Sequence, residues 1–355
     1  MRIAILVTCL AWKPSGGLRV IYNYAERLAN EGHQVSLYYA SYSNIEKQTI
    51  WRKAKRLLKH IYFTFIGDYR CTSWYNLDPR IGQSLIWKIS DNAIAPADAY
   101  MATTMQSAYG LDKMKVDNKF YFIQGFENWE DGVTDEMVYN TYHFPMRKIV
   151  IADWLKRIVE SVNESCEVVY NGFNNKRFRI HQGIAARDKH TICMMYSDQE
   201  TKGCQDCFNA LAQLKKTYPA LKVNVFGVPK RPENLPDWYN YTQKPSQEKL
   251  VDIYNSAAIF INASHTEGWG LTVGEAMLCG CAVACSNNDG HCEMAKNEET
   301  ALLSDIKDWQ QLADNVARLI KDDQFRQKIA ENGNQFLQNF NVEDSFEKFK
   351  NILLG

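Results

Sequence analysis

The first forty residues alternate in a way that fixes the class of fold. Ile3 to Thr8 form an apolar run of strand length, and Ser15-Gly16-Gly17 make a glycine turn. Leu18 to Asn30 then place Val20, Ile21, Tyr24 and Leu28 on one helical face, and after Gly32 a second apolar run covers Val35 to Tyr39. A strand, a helix and a second strand joined by short connections form a βαβ unit, and strands linked that way pair in parallel.

The alternation returns in the second half. Ile192–Tyr196 reads as a strand, Cys204–Thr217 as a helix, Lys222–Phe226 as a strand, Gln247–Ser256 as a helix and Ile259–Asn262 as a strand. A glycine-rich turn, a helix over Leu271 to Cys279, a strand over Ala282 to Cys285 and helix from Trp309 onward complete it. A chain of 355 residues exceeds one ordinary core, so the expectation is two α/β domains. The first covers 1–170 and the second 189–340. A polar, aperiodic linker covers 171–188, and a closing helix covers 341–355.

Apolar residues make up 46% and charged residues 23%, a globular composition, and Lys plus Arg equals Asp plus Glu at 41 each. No global field directs this chain to nucleic acid. No apolar run reaches the roughly 20 residues needed to cross a bilayer. The opening M-R-I-A-I-L-V-T-C-L-A runs into P-S-G-G, not a small-residue cleavage site, so it reads as a buried strand rather than a signal peptide. The ten cysteines sit mostly in apolar segments, which fits reduced core thiols in a cytoplasmic protein. Cys204 and Cys207 form a lone C-x-x-C, which without a second pair reads as structural.

One segment stands apart. Residues 45–69 interleave Lys47, Arg52, Lys53, Lys55, Arg56, Lys59 and His60 with Ile50, Trp51, Leu57, Leu58, Ile61, Tyr62, Phe63 and Phe65. Two readings stand side by side: a helix lying on an anionic membrane surface at its inner face, or a basic surface helix whose apolar side is core.

Chemistry concentrates in S-H-T-E-G-W-G-L-T-V-G-E-A, residues 264–276. The stretch follows a strand and opens a helix. In an open α/β sheet that is the ligand-binding end, where unpaired amides and the helix dipole suit a phosphate. Glu267 belongs to the loop and Glu275 lies more than one turn into the helix, too far to share a proton, so the two carboxylates have separate tasks. Read alone, they could equally be a helix cap and a solvated surface residue. Lys202 follows the strand Ile192–Tyr196 at an equivalent place, where it can hold a diphosphate as a point charge. Ser15-Gly16-Gly17 occupies that place in the first domain. Glycine loops, a lysine and two carboxylates together describe a cleft for a phosphate-bearing sugar donor.

The run H-T-E-G-W-G-L-T-V-G-E-A-M-L-C-G-C-A-V-A resembles the E-x7-E signature of family-four retaining glycosyltransferases of the GT-B fold. P-S-G-G-L-R-V-I-Y-N-Y-A-E-R-L-A-N-E-G-H-Q-V resembles that family's opening loop and helix, V-V-Y-N-G-F-N its interdomain crossing, and N-N-D-G-H-C-E-M-A its later G-x-x-E loop. The resemblance implies two Rossmann-like α/β/α domains facing across a cleft, the C-terminal helix crossing back to the N-terminal domain. The N-terminal domain would hold the acceptor and the C-terminal domain the nucleotide sugar. Glu267 would contact the transferred sugar and Glu275 the ribose. Lys202 would neutralise the diphosphate with help from the amides of Gly268, Trp269, Gly270, Leu271 and Thr272 and from Gly16 and Gly17. Gly290 and Glu293 would lie near the donor sugar. Two departures stand out: Tyr196-Ser197 occupies the place of a Gly-Arg pair, and Cys281 the place of a proline.

The implied reaction transfers a sugar from a nucleotide diphosphate sugar, a UDP-sugar foremost, to a hydroxyl of a glycan or lipid-linked acceptor with retention of configuration. The setting would be bacterial cell-surface glycan assembly. The sequence has no D-x-D, so no metal and no further cofactor are expected. Gln124, Glu127 and Trp129, in F-I-Q-G-F-E-N-W, are candidates for acceptor binding, with a stabilising aromatic loop as the alternative. His143 and His265 carry no catalytic assignment. A catalytically inactive binding or chaperone subunit of the same fold would have lost Glu267, Glu275 and Lys202. A nicotinamide dehydrogenase needs a G-x-G-x-x-G that is absent, and H-T-E lacks the P-C-x-x-C of a zinc deaminase. A phosphorylase-like enzyme would carry pyridoxal phosphate, visible in an absorbance spectrum.

Overall fold

The computed structural model describes residues 1–8, 14–41, 50–66, 74–129 and 132–355. The chain divides into two units, Met1–Tyr170 with Ser345–Gly355, and Asn171–Asp344. Each is a parallel sheet with helices.

In the first unit the order is β1 (Arg2–Val7), α1 (Gly16–Asn30), β2 (Gln34–Ala40), α2 (Ile50–Ile66), β3 (Gly82–Ile86), β4 (Ala99–Ala102), α3 (Met105–Asp112), β5 (Lys119–Ile123), α4 (Asp135–Tyr142), β6 (Arg147–Val150), α5 (Asp153–Glu160) and β7 (Glu167–Val168). The sheet order is β3-β2-β1-β4-β5-β6-β7, all parallel. α1 buries Leu18, Ile21, Tyr22, Tyr24, Ala25 and Leu28. Val20, expected on that face, is only partly covered, and Tyr22 takes its place in the core. Of the basic segment, residues 45–49 and 67–69 lie outside the described residues.

The second unit runs β8 (Thr191–Tyr196), α6 (Cys204–Thr217), β9 (Lys222–Gly227), β10 (Tyr239–Gln243), α7 (Gln247–Ser256), β11 (Ile259–Asn262), α8 (Leu271–Leu278), β12 (Ala282–Ser286), α9 (Asp289–Cys292), β13 (Leu302–Ser304), α10 (Trp309–Lys321) and α11 (Asp323–Leu337). Its sheet order is β10-β9-β8-β11-β12-β13, again parallel throughout. Buried strands read as continuous apolar runs, and here Ile192, Met194, Val223, Val225, Ile259 and Ile261 share a core with Leu211, Leu214, Leu312 and Val316.

Residues 171–188, polar and aperiodic in sequence, are not a free linker but part of this second unit. The buried Arg187 guanidinium donates to the carbonyls of Gln182, Ala257 and Cys279, tying the segment to the ends of α7 and α8. The closing helix α12 (Val342–Leu354) contributes its residues from Ser345 onward to the first unit. There Phe346 and Phe349 pack on Tyr24 with ring centroids 5.9 and 4.6 Å away.

Both sheets reverse direction of winding at their middle, between β1 and β4 and between β8 and β11. Ligands of open α/β sheets bind outside the carboxyl ends of strands at such a point. In the second unit the loops that leave β8 and β11 carry Lys202 and Glu267.

Candidate active site

The β8–α6 loop is drawn onto the end of β11 by backbone geometry. Glu200–Lys202 form one 3-10 turn, closed by Gly203 at φ +57°. A Cβ on Gly203 would stand 1.9 Å from the carbonyl oxygen of Ala263, so only glycine allows this approach. The amide of His265 donates to the Thr201 carbonyl at 2.7 Å, which fastens the two loops together.

The result is an ion pair: Lys202 Nζ stands 2.8 Å from Glu267 Oε1, with both side chains largely withdrawn from solvent. Burial alone would raise the Glu267 carboxyl. The charge of Lys202, with a smaller contribution from His291, more than offsets it and holds the group below the ordinary carboxylate value. Glu267 is therefore an anion fixed beside a cation.

Beyond Glu267 the chain passes Gly268 and reaches Gly270, the N-cap of α8, at φ +92° and with no side-chain cap. The first bonds back to its carbonyl come from Val273 and Gly274, leaving the amides of Leu271 and Thr272 at the helix mouth. Trp269 is buried with its ring against Phe340, 5.5 Å between centroids, so what it offers a ligand is backbone. Thr272 accepts a long hydrogen bond from Asn262, 3.5 Å.

Glu275 is buried, not solvated, and accepts from the Tyr254 hydroxyl at 3.1 Å. Burial, then the Glu275 charge, pushes the Tyr254 phenol well up, which keeps it a proton donor to that carboxylate. Gly290 is required where it stands, because a Cβ would lie 2.3 Å from the Glu267 carbonyl. Glu293 caps the end of α9.

His291 was not singled out by the sequence reading, although it lies between Gly290 and Glu293. It is fully buried, with Nδ1 2.9 Å from the Ser286 carbonyl. The Asn288 side-chain amide lies at the same distance from Nδ1, and Nε2 has no partner among the described residues. Burial holds the imidazole below its ordinary pKa, with the Glu267 charge pulling the other way. Its ring edge also explains Gly270, where a Cβ would meet His291 Cδ2 at 2.8 Å.

Where a Gly-Arg pair was expected, the Tyr196 hydroxyl donates to Asp198 at 3.1 Å. That end of β8 carries an anion, and Lys202 is the cation of its loop. His265 Nε2 lies 2.9 Å from Asp206 Oδ2, and His143 Nδ1 lies 3.1 Å from Glu164 Oε1. Cys204 and Cys207 are buried free thiols, both raised by burial.

In the first unit Gly16 and Gly17 begin α1, whose N-cap Ser15 makes no side-chain cap bond. A Cβ on Gly17 would stand 3.2–3.4 Å from the Gln124 side-chain amide, so Gln124 lies against the start of that helix. Glu127 accepts from the Met105 amide at 2.7 Å, so its carboxylate is engaged at the N-terminus of α3. Trp129 is 59% exposed, with its ring edge over Gly125.

Comparison with known proteins adds sequence to this geometry. Residues 176–336 match the family model described as Glycosyl transferases group 1, which covers most of the second unit. Among curated relatives, the D-inositol 3-phosphate glycosyltransferase of Corynebacterium efficiens is 29% identical over 157 residues, 40% of this chain and 37% of the relative. The N,N'-diacetylbacillosaminyl-diphospho-undecaprenol alpha-1,3-N-acetylgalactosaminyltransferase of Campylobacter jejuni is 23% identical over 239 residues, 61% of this chain and 62% of the relative. The chain thus spans less than two thirds of either. Among solved structures, the sucrose-phosphate synthase of Thermosynechococcus elongatus superposes with a TM-score of 0.75 at 16% identity, covering 99% of this chain and 98% of that one. HepE of Anabaena, crystallised with UDP and glucose, gives 0.72 at 16% identity and 99% of both chains. The fold is the two-domain, Rossmann-like GT-B fold, and residues 176–336 of the second unit are similar in sequence to group 1 glycosyl transferases.

Proposed function

We propose that the chain is a retaining, metal-independent glycosyltransferase that moves a sugar from a nucleotide diphosphate sugar, with uridine as base, to a hydroxyl of a glycan or lipid-linked acceptor. The observation that carries the proposal is the Lys202–Glu267 pair set against the uncapped start of α8.

The chemistry needs positive charge on the departing diphosphate and negative charge near a sugar ring that gains positive character as the glycosidic bond to phosphate breaks. Lys202 and the first amides of α8 supply the former, and the anionic Glu267 the latter. Glu275, held by Tyr254, grips the ribose hydroxyls. A diphosphate competes with Glu267 for Lys202, so donor binding shares one cation between two anions. With no arginine after β8, Lys202 carries that neutralisation by itself on its loop. Gly290 and Glu293 complete the donor contacts within the second unit, and in the first unit Gln124 with the exposed Trp129 offers an amide and a stacking ring to an acceptor. Glu127, an acceptor candidate as well, accepts from the Met105 amide at the start of α3.

The reading draws support from the named relatives: a UDP complex in a protein of this fold, and a lipid-diphosphate acceptor in the name of the Campylobacter relative. The setting we assign is bacterial cell-surface glycan assembly on the cytoplasmic side, at the inner face of a membrane. The test is a thermal-shift screen of nucleotides followed by transfer assays with the sugars of the stabilising base. A rise in melting temperature with UDP and turnover in EDTA support it; no stabilisation by any nucleoside diphosphate overturns it.

A further inference from the structure

α2 presents its apolar side to solvent. Trp51, Leu58, Tyr62 and Phe65, spaced by seven, four and three residues, share one side of the helix and are 85, 68, 54 and 84% exposed. The opposite side is the one that packs on the first unit. Phe63 is buried there, and His60 bonds the Ser41 hydroxyl at 2.8 Å with its ring edge-on to Trp87 at 5.3 Å. Among the described side chains the apolar residues of α2 are not core: Phe63 is buried, and Trp51, Leu57, Leu58, Ile61, Tyr62 and Phe65 are exposed.

The charge of the helix says what covers that side. Its 17 residues include Arg52, Lys53, Lys55, Arg56 and Lys59 and no acidic residue, in a chain whose net charge is zero. A second copy of the helix would bring like charges together, whereas an anionic lipid surface complements them. No helix among the described residues is long and apolar enough to cross a membrane, and this one, with five cations in 17 residues, fits the plane of the interface. Trp and Tyr are the side chains that settle at that depth.

We infer that α2 is a membrane-docking helix, lying in the headgroup region of an anionic leaflet with Trp51, Leu58, Tyr62 and Phe65 inserted and the exposed Lys55 and Lys59 at the phosphates. This deepens the proposal of a lipid-linked acceptor by naming the surface at which it is met, yet the test requires neither donor nor acceptor.

The full chain is co-sedimented with vesicles of phosphatidylcholine alone or with 30% phosphatidylglycerol, in 0.1 and 1 M salt. Binding is expected on the anionic vesicles at low salt and falls at high salt. Replacing Lys55 and Lys59 together by Gln is expected to weaken it roughly thirtyfold, at about 1 kcal/mol per cation. Leu58→Glu with Phe65→Glu is expected to abolish it while leaving the melting temperature unchanged, since both side chains are exposed. Absence of binding to anionic vesicles overturns the inference, as does binding that the Glu pair leaves intact. A dimer on size exclusion that the Glu pair converts to monomer also overturns it and assigns the face to a second copy.

Discussion

Lys202 and Glu267, 65 residues apart in sequence, meet at 2.8 Å because β8 and β11 are neighbours at the reversal point of one parallel sheet. The pair is a cation and an anion held at the mouth of α8, each the other's nearest opposite charge. Glu267→Gln and Lys202→Met should each lower kcat by about a hundred- to a thousandfold, near 3 kcal/mol of barrier. The double variant should lose less than the sum, with a coupling of roughly 1–3 kcal/mol, because each single change strands the other charge. Steady-state kinetics on the four proteins decide this; strict additivity would show that the two act independently.

Glu275 is predicted to act in donor affinity. Glu275→Gln should raise the UDP dissociation constant at least tenfold with little change in kcat at saturation. Tyr254→Phe, which removes one hydrogen bond to that carboxylate, should cost about 1 kcal/mol of stability. Calorimetric titration with UDP and urea unfolding measure the two effects.

Gly203 is predicted to tolerate no side chain. Gly203→Ala should destabilise the protein by more than about 2 kcal/mol, combining a left-handed φ with a contact on the Ala263 carbonyl that cannot give way. Gly183→Ala, where a Cβ meets nothing within 4 Å, is the control and should be close to neutral. Urea midpoints of the two variants test it.

Stability should fall on mild acidification, and His291 should be one cause. Its folded pKa lies below the ordinary 6.5, so the unfolded chain takes up a proton first. The contribution is present above 6.5 and is lost as pH falls toward the folded value. Glu267 follows with the same sign below its ordinary 4.5. His291→Asn keeps a donor for the Ser286 carbonyl but does not titrate, and it should flatten the decline of the urea midpoint between pH 7 and 5. An unchanged slope would assign the titration elsewhere.

Much of the second unit was legible because its signals are local. α6 and α7 occupy Cys204–Thr217 and Gln247–Ser256, the bounds read from apolar spacing, and Ser246 caps α7 through the Lys249 amide. β10, Y-N-Y-T-Q, escaped because an edge strand alternating polar residues carries too little apolar signal to separate it from a loop. The segment 171–188 looked like a linker because its anchor, Arg187, binds carbonyls up to 92 residues away.

What the sequence determined by itself is the parallel α/β class, the two sheets, and the residue types gathered at the strand ends. It also determined the amphipathic, wholly basic character of α2. Those properties depend on periodicity and local composition, which a chain carries wherever it folds. What the tertiary structure decided is which charges meet: Lys202 with Glu267, Tyr254 with Glu275, and a fully buried His291 behind them. It also decided which side of α2 the core claims. These depend on strand order and close backbone approach, distances set between residues far apart in the chain, and no local pattern encodes them.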